Sequence, residues 1–199
     1  VDYLVYRAIN GLSGWPVADE VMRIVANDLA FVIAALVALL FCVPWPNRRL
    51  ERRYGAVASV AAAGISLAFN QPLSQLVDRT RPYIAHPTHA HLLIARSTDP
   101  SLPSDHATGA FAIAVAVSAY DRVAATVFFV LAVLVSFARI YVGTHYPFDV
   151  VAGALIGTAF ACVLRVPFVK SRLESLTRTL SNLWDRATAV ALGRGQSTN

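Results

Sequence analysis

The chain has 199 residues, of which 56% are hydrophobic and only 15% charged, with a mean hydropathy of +0.54. A soluble domain carries about 25% charged and about 45–50% apolar residues, so this surplus excludes a disordered chain, a nucleic-acid arm and an ordinary water-soluble enzyme. The formal charge of +5, from 17 basic and 12 acidic residues, lies in short runs between apolar segments, which reads as membrane topology and not as a nucleic-acid-binding stripe.

Val1, Leu4, Val5, Ala8, Ile9 and Leu12 share one helical face, which predicts a short interfacial helix over residues 1–15. The segment lacks the basic run that opens a signal peptide. Gly11 to Trp15 break it, and Pro16 suits the first turn of a second helix expected to end near Val43, before Pro44 and Pro46. Residues 29–47, 54–77, 107–120, 123–138 and 150–164 are almost free of charge. They predict an all-α polytopic membrane bundle of five spanning helices over residues 16–169. Residues 170–199 are basic and partly amphipathic, then polar from Gly193 onward, and predict a C-terminal amphipathic helix and tail. Residues 1–199 read as one integral-membrane domain.

Arg48, Arg49, Arg52 and Arg53 crowd the first connection and place it on the cytoplasmic side of the membrane. The N-terminus and residues 78–103 and 141–148 are then external, while the turn at Asp121 and Arg122 is internal. Arg165, Lys170, Arg172, Arg178, Arg186 and Arg194 agree by placing the C-terminus inside. Cys42 and Cys162 sit in apolar runs and read as buried thiols. The stretch 107–120 gives about 21 Å of helix against a hydrocarbon core of about 30 Å. Its missing length must come from polar residues at the external helix ends, and ionisable groups at that depth are costly and usually functional.

Three external segments carry those groups: Arg79-Thr80-Arg81-Pro82, then Pro103-Ser104-Asp105-His106, then Arg139 followed by His145 and Asp149. His145 and Asp149 are four apart and share a face if helix has begun by His145. A carboxylate bonded to one imidazole nitrogen leaves the other free for attack. Ser104 reads as an N-cap, so the free N–H groups of Asp105, His106 and Ala107 would form an anion site. Arg81 and Arg139 add two permanently charged planar forks suited to phosphate.

Arg-Pro, then Pro-Ser-x-His, then Arg-x5-His-x3-Asp resembles the signature of the type 2 phosphatidic-acid phosphatase superfamily, which includes vanadium haloperoxidases. Residues 8–13, 81–86, 103–110 and 139–149 are similar to its bacterial branch of undecaprenyl-diphosphate phosphatases associated with bacitracin resistance. The likeness covers about residues 1–165. It implies His145 as the nucleophile that becomes phosphohistidine, Asp149 as its orienting partner and His106 as acid and then base. It also implies that Arg81, Ser104, Asp105 and His106 amides, and Arg139 hold the phosphoryl oxygens, with no metal and no cofactor. The expected substrate is a polyprenyl diphosphate, cleaved to monophosphate and phosphate to recycle the cell-wall lipid carrier. The remaining partners are membrane lipids, and a homo-oligomer is compatible with the sequence. Two positions depart from the family: its Lys seven residues before the motif Arg is Ser74, and the Ser before the third-motif Arg is Ala138. The first weighs against haloperoxidase activity and leaves Arg79 as the candidate replacement charge on the phosphate.

Other readings stand beside this one: a phosphatase for phosphatidylglycerol phosphate, phosphatidate or another lipid phosphate, and a non-catalytic lipid-binding or transport protein. His86, His89 and His91 match no standard metal spacing and read as solvated or lid residues. Asp28 reads as a helix-end charge or a partner for an arginine. Gly153 and Gly157 are spaced for close helix packing.

Overall fold

A computed structural model describes residues 1–191 and is helical, with no strand among the described residues. The helices are α1 (Asp2–Asn10), α2 (Pro16–Cys42), α3 (Arg49–Val77), the single turn α4 (Pro82–Ala85), α5 (Asp105–Ser118), α6 (Arg122–Tyr141), α7 (Pro147–Val163) and α8 (Pro167–Ala191). The polar tail expected from Gly193 onward lies outside the described residues.

Helix α5 is the central element, packed against α3, α6 and α7. Ala107, Ala110, Ala112, Ala114 and Ala116 are all buried on it, and such small side chains let three neighbours approach its backbone at once. Gly153 and Gly157 of α7 face Ser104, Thr108 and Ala112 of α5, the close packing expected of their spacing. The outer faces carry exposed Phe31, Val60, Val130, Val133 and Leu155. So large an apolar exterior suits lipid, in which each helix satisfies its own backbone hydrogen bonds.

Five helices thus build the bundle, but among the described residues only three are long and apolar enough to cross a membrane alone: α2, α3 extended to Ala85, and α6. Helix α7 meets that measure only together with α8, at an 81° bend, and α5 has 14 residues. The physical reason is that α5 and α7 both open on polar residues at one end of the bundle, and α5 is covered by other helices and not by lipid.

The opposite end is held by ion pairs. Asp121 caps α6 by accepting from the Val123 and Ala124 N–H groups at 3.0 Å each. It also accepts from Arg52 Nε at 2.8 Å and lies 3.8 Å from Arg48. Arg53, 2% exposed, donates to the Phe41 carbonyl and to both carboxylate oxygens of Asp185 on α8, and Arg49 pairs with the same carboxylate. The four arginines of the first connection therefore tie α3 to the α6 cap and to α8.

Candidate active site

Gln71, Ser74 and Gln75 of α3 face Arg81, Asp105, His106, Arg139 and His145 across a polar cavity of about 340 Å³. The three motif segments, which start at Arg79, Pro103 and Arg139, meet there because α5 starts, α6 ends and α7 starts at the same end of the bundle.

His145 lies in the connection between α6 and α7 and is 3% exposed. Its Nδ1 is 2.8 Å from the Ser101 carbonyl oxygen. A carbonyl can only accept, so Nδ1 carries the proton and Nε2 keeps its lone pair. Nε2 points to Arg81, whose Nη1 is 3.4 Å away. Burial pushes the imidazole below its ordinary pKa, Arg139 and Arg81 add to the effect, and Asp149 opposes it. A neutral imidazole with a free Nε2 beside a guanidinium is the form needed to attack phosphorus.

Asp149 does not hold His145 in the way the four-residue spacing implies. Its Oδ2 is 3.8 Å from Nδ1, beyond hydrogen-bonding distance. Helix α7 begins at Pro147, after His145, so the two side chains are not stacked on a shared helical face. The carboxylate instead accepts from the Tyr146 N–H at 2.8 Å, from the Ser101 hydroxyl and from Arg79 Nη1 at 2.5 Å. Ser101, fully buried, therefore links the two: its hydroxyl bonds Asp149 and its carbonyl holds the imidazole. No sequence signal marks it, because a backbone carbonyl is common to every residue.

Arg79 is also placed differently from the expected phosphate contact. It does not line the cavity; its second nitrogen donates to Asp2 of α1 at 2.5 Å, and its guanidinium lies 4.3 Å from the Tyr146 ring. Two carboxylates within reach claim both arms of the fork, and they raise its pKa against the opposing effect of burial. The charge absent at Ser74 is not restored in the cavity by Arg79.

Arg81 donates Nε to the Asp99 carbonyl at 2.7 Å and Nη1 to the Thr144 carbonyl at 3.2 Å, which aims its remaining donors at the cavity. Arg139, 8% exposed, makes one long contact to the Ala26 carbonyl at 3.4 Å, and its Nε is buried without a partner. Ser104 occupies the N-cap position of α5, but its side chain makes no capping bond, and its buried Oγ likewise has no partner. Unpartnered buried donors are rare and costly, and here two of them stand at the end of a helix whose first amides are free. Arg139, Asp105 and His106 line the cavity, and Ser104 immediately precedes the latter two without lining it. The Asp105 carboxylate itself turns to Asn70 Nδ2 at 2.7 Å, leaving only its amide for the expected anion contact.

The histidines of the loop are dispersed. His86 lies tilted against Tyr3 with ring centres 3.9 Å apart, and His91 Nδ1 is 2.7 Å from Ser13 Oγ. Among the described residues no group of three or more His, Cys, Asp or Glu is placed to hold a metal ion. A second cavity of about 370 Å³ adjoins the first, with apolar walls that include Ala30, Ile33, Ala63, Leu67 and Ile113. Gln71, Asp105 and His106 line both.

The PAP2 superfamily pattern matches residues 54–172. Undecaprenyl-diphosphatase BcrC of Bacillus subtilis is 32% identical over 184 residues, covering 92% of this chain and 89% of that one. The crystal structure of Aquifex aeolicus LpxE superposes with a TM-score of 0.63 at 26% identity, over 81% of this chain and 93% of that one. A transmembrane PAP2-type phosphatidylglycerolphosphate phosphatase from Bacillus subtilis shares the fold with a TM-score of 0.58 at 21% identity, over 82% of this chain and 84% of that one.

Proposed function

Because this chain belongs to the PAP2 superfamily, we propose that it is a membrane lipid phosphatase that cleaves undecaprenyl diphosphate to the monophosphate and inorganic phosphate. The observation that carries this reading is the meeting of Arg81, Arg139, His106 and His145 around one polar cavity that opens onto an apolar one. The terminal phosphate fits the first and the start of the prenyl chain fits the second.

In the proposed reaction, the His145 Nε2 lone pair forms a bond to the terminal phosphorus. The bond from phosphorus to the bridging oxygen breaks, that oxygen takes the electron pair, and His106 supplies its proton. His106, now neutral, takes a proton from water as the water oxygen attacks the phosphohistidine, releasing phosphate and restoring His145. Arg81, Arg139, the Ser104 hydroxyl and the free amides of α5 stabilise the equatorial oxygens, since phosphoryl transfer depends mostly on positioning and charge. The nearby Asp149 carboxylate favours the imidazolium that forms, and Ser101 keeps its proton on Nδ1.

The site faces outward if the arginine-rich end is cytoplasmic, as the positive-inside rule expects. In that orientation the enzyme regenerates the carrier of cell-wall synthesis and removes the lipid that bacitracin targets. The test is phosphate release in detergent micelles from undecaprenyl diphosphate, set beside phosphatidate and phosphatidylglycerol phosphate. The diphosphate should be the preferred substrate, and His145→Ala should abolish release. Substantial turnover by that variant would reject the nucleophile, and preference for either phospholipid would reject the substrate.

A further inference from the structure

The polar and apolar cavities share three residues, Gln71, Asp105 and His106. If the terminal phosphate of a lipid diphosphate lies among Arg81, Arg139 and His145 and its chain in the apolar cavity, the inner phosphate must lie at this junction. Of the three junction side chains, His106 is already assigned to the bridging oxygen in the proposed reaction, and the Asp105 carboxylate accepts from Asn70 Nδ2 at 2.7 Å. Gln71 alone offers neutral N–H donors, and its side chain makes no hydrogen bond among the described residues. It stands on α3 with Ser74 and Gln75 at the helical spacing that turns all three toward the cavity. Gln71 is exposed, so its amide is free to exchange water for a ligand oxygen at this junction.

We propose that Gln71 binds the inner phosphate and thereby sets a preference for lipid diphosphates over lipid monophosphates, an inference that rests on the phosphatase reading above. The charges explain why the residue is neutral. Before cleavage the inner phosphate is a diester-like monoanion; afterwards it is a monoester whose second pKa is about 6, so it gains negative charge. A neutral amide binds the monoanion by hydrogen bonding without adding a full positive charge that would hold the dianion. Asp105 repels the dianion more strongly than the monoanion. Substrate is therefore bound and product expelled at one junction, whereas the lysine usual at position 74 would retain the product. A lipid monophosphate bound for hydrolysis places its one phosphate among the arginines and none beside Gln71, so its turnover gains nothing from that residue; only as a product does a monophosphate occupy the junction.

The test compares farnesyl diphosphate with farnesyl monophosphate, which share one chain, in wild type and in Gln71→Leu, a change of similar volume. Loss of a hydrogen bond to a charged group predicts a fall in kcat/KM for the diphosphate of about 10- to 100-fold, carried by KM, with the monophosphate within about twofold of wild type. Gln71→Lys should bind farnesyl monophosphate more tightly and show stronger product inhibition. Equal losses on both substrates would mark a structural role and overturn the proposal, as would no loss on either. Calorimetric binding of methylenediphosphonate reads the same contact without turnover: weaker binding in Gln71→Leu supports it, and unchanged binding overturns it. A wild-type protein that releases no phosphate would defeat the phosphatase reading and leave this binding result to decide the role of Gln71.

Discussion

Gly153→Ala should damage catalysis more than folding. Gly153 lies one turn beyond Asp149 on α7 and faces the start of α5. A Cβ there would stand 2.6 Å from the Ser104 carbonyl oxygen and 2.8 Å from Thr108 Oγ1, where ordinary contact begins at 3.4 Å. The two helices must part by roughly 0.8 Å, since a carbonyl on a packed helix cannot rotate aside. That contact separates the halves of the site: Ser104 and His106 ride on α5, while Asp149 rides on α7 and His145 just before it. The Ser104 N–H to Asp149 carbonyl bond of 3.0 Å spans the same gap. Overpacking of this kind costs about 1–3 kcal/mol, or about 2–12 °C in thermal midpoint for a chain of this size. A misplacement near 1 Å costs about 100-fold in rate. Phosphate release and thermal midpoint, measured on the same detergent-solubilised samples, should show both losses. Gly64→Ala is the control, because its Cβ meets nothing within 4 Å, and it should keep wild-type activity. A Gly153→Ala enzyme with wild-type kcat and midpoint would show that the α5–α7 contact does not set the geometry of the site.

Ser101→Ala removes the hydroxyl from Asp149 but keeps the carbonyl that holds His145. If the hydroxyl acts through the carboxylate, Ser101→Ala and Asp149→Asn should not multiply: kcat/KM of the double variant should lie within about threefold of the weaker single variant. Fully multiplicative losses would separate the two roles. At the opposite end, burial pushes the Asp121 carboxyl up, but the Ala124 N–H, Arg52 and Arg48 outweigh it and hold its pKa below the ordinary range. The stability it contributes is therefore complete above the unfolded carboxylate value of about 4 and is lost as pH falls through the lower folded value. Asp121→Asn keeps a capping oxygen but loses the charge, which should cost about 1.5 kcal/mol, or about 3–6 °C at pH 7. The gap to wild type should close as the pH falls through the lowered folded value, and a gap independent of pH would refute the assignment.

The helices were legible because their signals are local. Pro16 starts α2 and Val77 ends α3 where the apolar runs and breakers place them, and the glycine pair of α7 meets α5. The motif residues converge for an equally simple reason, since successive spans run in opposite directions and bring alternate connections to the same end. The partners of His145 and Arg79 were not legible. One is a carbonyl 44 residues away and the other a carboxylate 77 residues away, and neither leaves a periodic trace. Gln71 did leave one, as a polar face with Ser74 and Gln75 on an otherwise apolar helix, yet beside the family motif that face registers only as an absent lysine.

The absent lysine has a physical consequence that the structure makes specific. Arg79 is paired with two carboxylates, so the permanent positive charge lining the cavity comes from Arg81 and Arg139. In the proposed reaction, two guanidinium groups and a helix N-terminus then carry the charge of the transition state. An alkoxide leaving group would demand more than this, because its charge is localised on one oxygen until His106 protonates it. A departing phosphate monoester spreads that charge over its own oxygens, and so asks less of the acid and of the cations around it. With the same cations around it, the cavity of the proposed enzyme therefore favours cleavage of an anhydride over cleavage of a simple phosphate ester.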